Sequence, residues 1–216
     1  YINFIPLNPW YRFYFDDFSF FDYGGTKEST VNEIKKFSSR DADGYLKMLE
    51  SSKSIYEIGY DKLATFPFHD FSNMVKIVPD MIKLRSFTNV YNHVSKYIKN
   101  ENLRKAFSIQ PLLVGGNPFT TTSIYCLIHY LERKDGIHFP LGGTAQIVNQ
   151  LKLLLEKNNI DIKNEHSLNE LNIKNKKVIS VKINNTELKS FDNIVYNGDP
   201  ITPVSYTHLT LPTNTV

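Results

Sequence analysis

The chain opens on alternation. Tyr11, Phe13 and Phe15 fall on one face of an extended run, with Arg12 and Tyr14 on the other. Phe18, Phe20 and Asp22 continue a second extended run after Asp16-Asp17, and Gly24-Gly25 ends it. The pattern predicts an aromatic hairpin with an acidic turn. From Thr30 to about Arg133 the period lengthens to that of helices. Thr30 and Glu33 have capping-box spacing, in which a hydroxyl and a carboxylate satisfy two unpaired backbone donors. Asp41 or Asp43 is expected to open a longer helix with Leu46, Leu49, Ile55 and Ile58 on its apolar side. Pro67 and Pro79 then segment residues 66–84, a stretch greasier than one helix face requires. Asn100 is predicted to begin a helix through Phe107. Thr122 or Ser123 begins another, with Ile124, Leu127, Ile128 and Leu131 sharing a face.

The character changes at Pro140. Gly142-Gly143-Thr144 leads into a helix with Ile147, Leu151, Leu154 and Leu155 along one side. Short alternating runs follow at 160–162, 168–173, 178–183 and 191–196, with Asn175 and Asn184-Asn185 supplying turn chemistry. The predicted class is therefore α+β. From about residue 203 the chain turns rich in Thr and Leu and carries no Lys, and this tail reads as non-native. The first residue is Tyr rather than Met, so the natural start is expected to lie upstream.

Composition narrows the function. Of 216 residues, 41% are hydrophobic and 22% charged, which excludes wholesale disorder. The net charge of +3 comes without a basic block, so no nucleic-acid arm is expected. Cys126 is the single cysteine, which excludes an internal disulfide and any multi-cysteine metal site; it reads as a buried, inert thiol. His69, His93, His129 and His138 lack ligand spacing, and no metal is expected. No apolar run approaches the ~20 residues that a membrane span needs. Generic catalytic and nucleotide motifs are absent, and no strong acid–base pair is visible.

Two glycine pairs carry more. Gly115-Gly116-Asn117-Pro118 sits between helical patterns, where it is either a loop breaker or a place of close approach with an amide offered to a ligand. Pro140-Leu141-Gly142-Gly143 opens a helix, either as a plain cap or as a set of free amides facing a phosphate or a flavin carbonyl.

Ordered along residues 9–199, these segments resemble the bacterial and fungal type of phytoene desaturase, carotenoid dehydrogenases of the flavin amine-oxidase superfamily. The resemblance runs through Phe37-Ser-Ser-Arg-Asp41, Gly44-Tyr45, Gly59-Tyr60, Phe66-Pro67-Phe68, Leu112-Leu-Val-Gly-Gly-Asn-Pro-Phe119, Thr122-Ser-Ile-Tyr125 and Leu131-Glu132. Gly136, Phe139-Pro140, Gly142-Gly-Thr144 and Asn197-Gly-Asp199 complete it. It implies an internal fragment: a substrate-binding, membrane-associated domain at 1–139, then part of a Rossmann-like FAD domain at 140–202 that lacks the glycine-fingerprint βαβ unit. It implies FAD held in part by Pro140, Gly142, Gly143, Ser167, Asn197 and Asp199, with Gly115 to Pro118 at the junction of substrate and flavin. Ser167 stands where relatives usually have Val, which still allows a backbone contact; Asn73 and Lys76 stand where they often have an acid and an Arg, which speaks against an acidic helper there and leaves the catalytic residues unassigned.

The implied activity is FAD-dependent desaturation of phytoene towards lycopene, with oxygen or a quinone as acceptor and the fragment inactive alone. Another polyene desaturase, isomerase or saturase of the family, or a non-catalytic lipid-binding module, is the alternative. Phe66, Phe68, Phe71, Met74, Lys76 and Ile77 suit a monotopic surface element or tunnel mouth on the cytoplasmic side of a membrane.

Overall fold

The hairpin forms from β2 (Tyr11–Tyr14) and β3 (Phe20–Tyr23), antiparallel with Tyr11 opposite Tyr23 and Phe13 opposite Phe21. This is a computed structural model, and it describes residues 2–62, 87–175, 177–185 and 187–197, with positions 75, 76, 78, 79, 82 and 84. The second strand begins later than its alternation suggests. Phe18 lies in the turn with φ +61° and is 95% exposed, because residues 15–19 reverse the chain there around the Asp17 carboxylate. The buried face of β3 is accordingly Phe21 and Tyr23, while Asp22 pairs with Arg12 on the outer face at 2.7 Å. β1 (Phe4–Pro6) pairs antiparallel with β4 (His138–Pro140), a pairing between distant segments that no local pattern announces.

Helix α1 (Lys27–Phe37) starts one turn before the predicted cap. Thr26 takes the cap position and accepts from the Ser29 amide, whereas Thr30 is buried inside the helix and donates to the Gly24 carbonyl at 2.9 Å. Ser38 ends α1 and caps α2 (Ser39–Tyr56), so neither Asp41 nor Asp43 is the cap. Asp41 is instead fully buried and accepts from the amides of Lys99 and Asn100 at 2.8 and 2.7 Å. Its carboxylate thereby ties α2 to the gap between α3 (Val90–Tyr97) and α4 (Glu101–Ala106), where Asn100 caps α4 as expected. Leu49 and Ile55 are buried; Leu46 is exposed.

Short 3-10 turns at Gln110–Val114 and Ser123–Cys126 flank the first glycine pair, and the second runs into α5 (Leu127–Asp135). The predicted apolar side, Ile124, Leu127, Ile128 and Leu131, is only half-buried. The buried stripe is Ser123, Cys126, His129 and Glu132, at three-residue spacing and largely polar. It faces a core of Phe21, Tyr23, Ile34, Tyr45, Met48, Val94 and Phe107. Phe107 centres that core, edge-on to Phe21 and Tyr23 and stacked on Tyr45, all within 5.5 Å between ring centroids. His129 is satisfied there, with Phe107 O at 3.0 Å and the Gln110 amide at 3.1 Å, and burial lowers its pKa to about 4. Cys126 is fully buried, and burial raises its thiol pKa to about 12.

The chain divides into two compact units, Tyr1–Val148 and Asn149–Val216. Helix α6 (Ala145–Lys157) begins after the second glycine pair and buries no residue, leaving Val148, Leu151 and Leu154 more than half exposed. In the second unit, β5 (Leu168–Lys174), β6 (Lys177–Ile183) and β7 (Glu187–Lys189) form an antiparallel meander. Asn175, Asn184 and Asn185 take positive φ at its turns, as their chemistry predicts. Residues 160–162 and 191–196 are not strands, since neither run finds a pairing partner among the described residues. The class is α+β, as expected.

Candidate functional site

The Gly115-Gly116-Asn117-Pro118 loop divides its labour. Gly115 has φ +72°, and a Cβ there would meet open space. Gly116 is packed within the loop: its amide donates to the Pro111 carbonyl at 2.8 Å, and a Cβ would stand 2.7 Å from Thr121 Oγ1. Asn117 Oδ1 accepts from the Phe119 amide at 2.8 Å, and its carbonyl accepts from Thr121, so this side chain builds the turn. Pro118 O and Thr121 O accept from Tyr91 and Val90, which anchors the loop to the start of α3. Around it Leu112, Leu113, Val114 and Phe119 are each more than half exposed, an apolar patch on a rigid base.

The second glycine pair forms a turn closed by the Gly143 amide on Pro140 O at 3.0 Å. Pro140 is buried; Gly142 and Gly143 have φ +87° and +95°. A Cβ at Gly142 would press on Gln146, whereas one at Gly143 would meet nothing within 4 Å. The amides of Thr144 and Ala145 make no hydrogen bond among the described residues, at the positive end of α6.

Ser167 lies just before β5 with both main-chain groups engaged: its amide donates to Asn184 Oδ1 at 2.9 Å, and its carbonyl accepts from the Asn184 amide at 3.0 Å. Asn197 is exposed. Asp199, Phe66, Phe68, Phe71, Met74, Ile77 and Asn73 lie outside the described residues. Within that greasy stretch, Val75, Lys76, Val78 and Ile82 are exposed. No helix among the described residues is long and apolar enough to cross a membrane.

A buried polar hub was not anticipated from sequence. Arg133 donates through Nε to Tyr45 Oη and through Nη1 to Gly25 O, both at 2.8 Å, and through Nη2 to Thr30 Oγ1. Its guanidinium also lies 4.5 Å from the Trp10 ring centroid and 4.9 Å from that of Tyr23. Beside it, Glu132 accepts from Tyr11 Oη at 3.0 Å, while Oε2 is buried without a partner. Burial raises the Glu132 pKa to about 7, against the opposing pull of Tyr11 and Arg133. The signal for this hub was the polar stripe at three-residue spacing, masked by the stronger apolar one next to it.

Comparison with known proteins decides the family. No family model matches the chain. It is 36% identical over 201 residues to the lycopene-forming phytoene desaturase of Pseudescherichia vulneris, covering 93% of this chain and 41% of that protein. It is 43% identical over 148 residues to the lycopene-forming enzyme of Pantoea ananas, covering 68% and 30%. The neurosporene-forming phytoene desaturase of Cereibacter sphaeroides is 29% identical over 194 residues, covering 90% and 38%. The chain belongs to the carotenoid desaturase family. It spans between a third and a half of the length of most of these relatives.

FAD contacts expected from the sequence fall at the second glycine turn. Its features fit FAD: two adjacent positive-φ glycines, clearance over Gly143, and two amide donors at a helix start. Ser167 fits less directly, since a ligand contact at its main chain would share it with Asn184.

Proposed function

We propose that this chain is the substrate-side portion, with part of the flavin domain, of an FAD-dependent oxidoreductase that desaturates phytoene towards lycopene. The observation that carries this reading is the near-continuous similarity to a lycopene-forming desaturase over 93% of the chain. FAD, when bound, supplies the acceptor for a hydride from an allylic carbon, with oxygen or a quinone as the final oxidant. The chain's own residues position and exclude water. Gly143 leaves clearance, and the amides of Thr144 and Ala145 offer hydrogen bonds to an oxygen of the cofactor. Leu113, Val114 and Phe119 supply apolar contact for a polyene beside Gly115, whose missing side chain keeps the path open. Residues 66–84 provide the monotopic element at the cytoplasmic face of the membrane, where so apolar a substrate resides. The domain roles follow: 1–139 for substrate and membrane, 140–202 for flavin.

The test uses the chain extended to the length of its relatives, in a strain that accumulates phytoene. Chromatography should show lycopene; unconverted phytoene with flavin bound overturns the assignment, and a product stopped at neurosporene moves it to the shorter reaction. Leu113→Asp should then lower conversion at least tenfold with flavin retained, because a charge beside a hydrocarbon chain is costly to desolvate. Gly116→Leu is a poorer probe, since its Cβ would strike Thr121 and Pro111 within the loop itself. Full conversion by the Leu113 variant would remove the loop from the substrate path.

A further inference from the structure

Two neighbouring clefts beside α2 and α3 carry chemistry that desaturation leaves unused. The first, about 260 Å³, is lined by Arg40, Asp43, Lys47, Lys96 and Lys99, together with Gly44 and Tyr97. Arg40, Asp43 and Lys47 share one side of α2 through their three- and four-residue spacing, and Lys96 and Lys99 close the end of α3. Four cations against one carboxylate leave a local surplus of three, as large as the net charge of the whole chain. None of the four makes an ion pair among the described residues. Their backbones are fixed, because Gly44 packs against Tyr97 and Asp41 holds the Lys99 amide. The site therefore meets an anion without first ordering its framework.

The second cleft, about 460 Å³, shares Lys96 and Tyr97 with the first. Its other walls mix Ile55, Ile58 and Leu84 with Ser51, Ser54, His93 and Glu57, whose carboxylate stands 3.9 Å from Lys53 Nζ and is charge-matched there. A free inorganic anion has no use for an apolar wall at its side; an amphiphile with an anionic head does. We infer that the basic cleft receives the phosphate of an anionic lipid headgroup, and that the adjoining cleft takes the glycerol and the first methylenes of its chain. This inference stands on the two clefts and not on the desaturase reading, and it gives the membrane contact a lipid preference.

The experiment measures flotation of the chain with vesicles of phosphatidylcholine alone and of phosphatidylcholine with phosphatidylglycerol. Each Lys near an anionic surface contributes about 1 kcal/mol, or roughly fivefold in binding. Lys47→Gln, Lys96→Gln and Lys99→Gln together should weaken binding to the anionic vesicles about a hundredfold, leaving neutral-vesicle binding and thermal stability unchanged. Removing the same charge from α1, by Lys27→Gln, Lys35→Gln and Lys36→Gln, should have at most a small effect. An equal loss in that control assigns the attraction to diffuse charge and overturns the site. Saturable binding of inorganic phosphate at millimolar concentration without vesicles, lost in the triple variant, would make the ligand free phosphate and overturn the lipid assignment. Neutral-vesicle binding reports the apolar membrane element separately, so its failure and that of the cleft are distinguishable.

Discussion

Gly44→Ala is expected to destabilise the first unit by about 3 kcal/mol, near the upper end for an overpacked contact. Gly44 lies inside α2, where glycine costs about 1 kcal/mol relative to alanine, so a helix-propensity argument predicts the opposite sign. The packing decides. A Cβ at this position would overlap the Tyr97 carbonyl oxygen and stand 3.0 Å from its carbon, and neither is a flexible side-chain end that could swing away. The helix must move off α3, and the nearby Asp41 bonds to Lys99 and Asn100 stretch with it. For a chain of this size the melting temperature should fall by about 6–12 °C. Gly59→Ala is the internal contrast: its Cβ would sit 3.8 Å from Ile124 and Leu127, an ordinary contact, and should stabilise by about 0.5 kcal/mol. Equal melting temperatures for Gly44→Ala and the parent would show that α2 and α3 are not in close backbone contact.

Glu132→Gln should raise stability by about 2–3 kcal/mol at pH 8 and by almost nothing at pH 4.5. The folded state holds the Glu132 proton up to about pH 7, whereas an unfolded chain releases it near 4.5. A raised carboxylate pKa means that stability is fully present below pH 4.5 and is lost as the pH rises to about 7. His129 works the other way. Its pKa falls to about 4 on burial, so stability is present above the unfolded value of 6.5 and is lost as the pH falls towards 4. The two slopes oppose each other over their shared range, and the parent should be nearly flat there as far as these groups decide. The glutamine keeps the Tyr11 bond and removes the carboxylate, so the variant should show the His129 slope alone between about pH 4 and 6.5. Urea titrations at pH 5 and pH 8 check this. A stability difference independent of pH would show that Glu132 is ionised throughout, with Arg133 outweighing burial.

The site was legible in part. Both glycine pairs were visible as special backbone, and five of their positions, Gly115, Gly142, Gly143, Pro118 and Pro140, act as turn-makers or close off a strand. Which glycine faces outward was not legible. Gly115 and Gly116 are chemically identical, and only the return of Thr121 and Pro111 around the loop fills the space at one and leaves it open at the other. The Glu132–Arg133 hub was equally hidden, because its partners Tyr11, Gly25, Thr30 and Tyr45 come from segments about 90 to 120 residues away.

Local chemistry by itself determined the hairpin, the asparagine turns of the meander, the cap at Asn100 and the family, since each depends on residues adjacent in the chain or in fixed order along it. Tertiary structure decided which faces are buried. Ser123, Cys126, His129 and Glu132 turn inward although Ile124, Leu127 and Leu131 are more apolar, and Thr30 gives up a cap for the Gly24 carbonyl. The physical reason is that Arg133, brought over the aromatic hairpin, directs three hydrogen bonds to Tyr45, Gly25 and Thr30 there, and with the ring contacts these outweigh the transfer of a few methylenes from water.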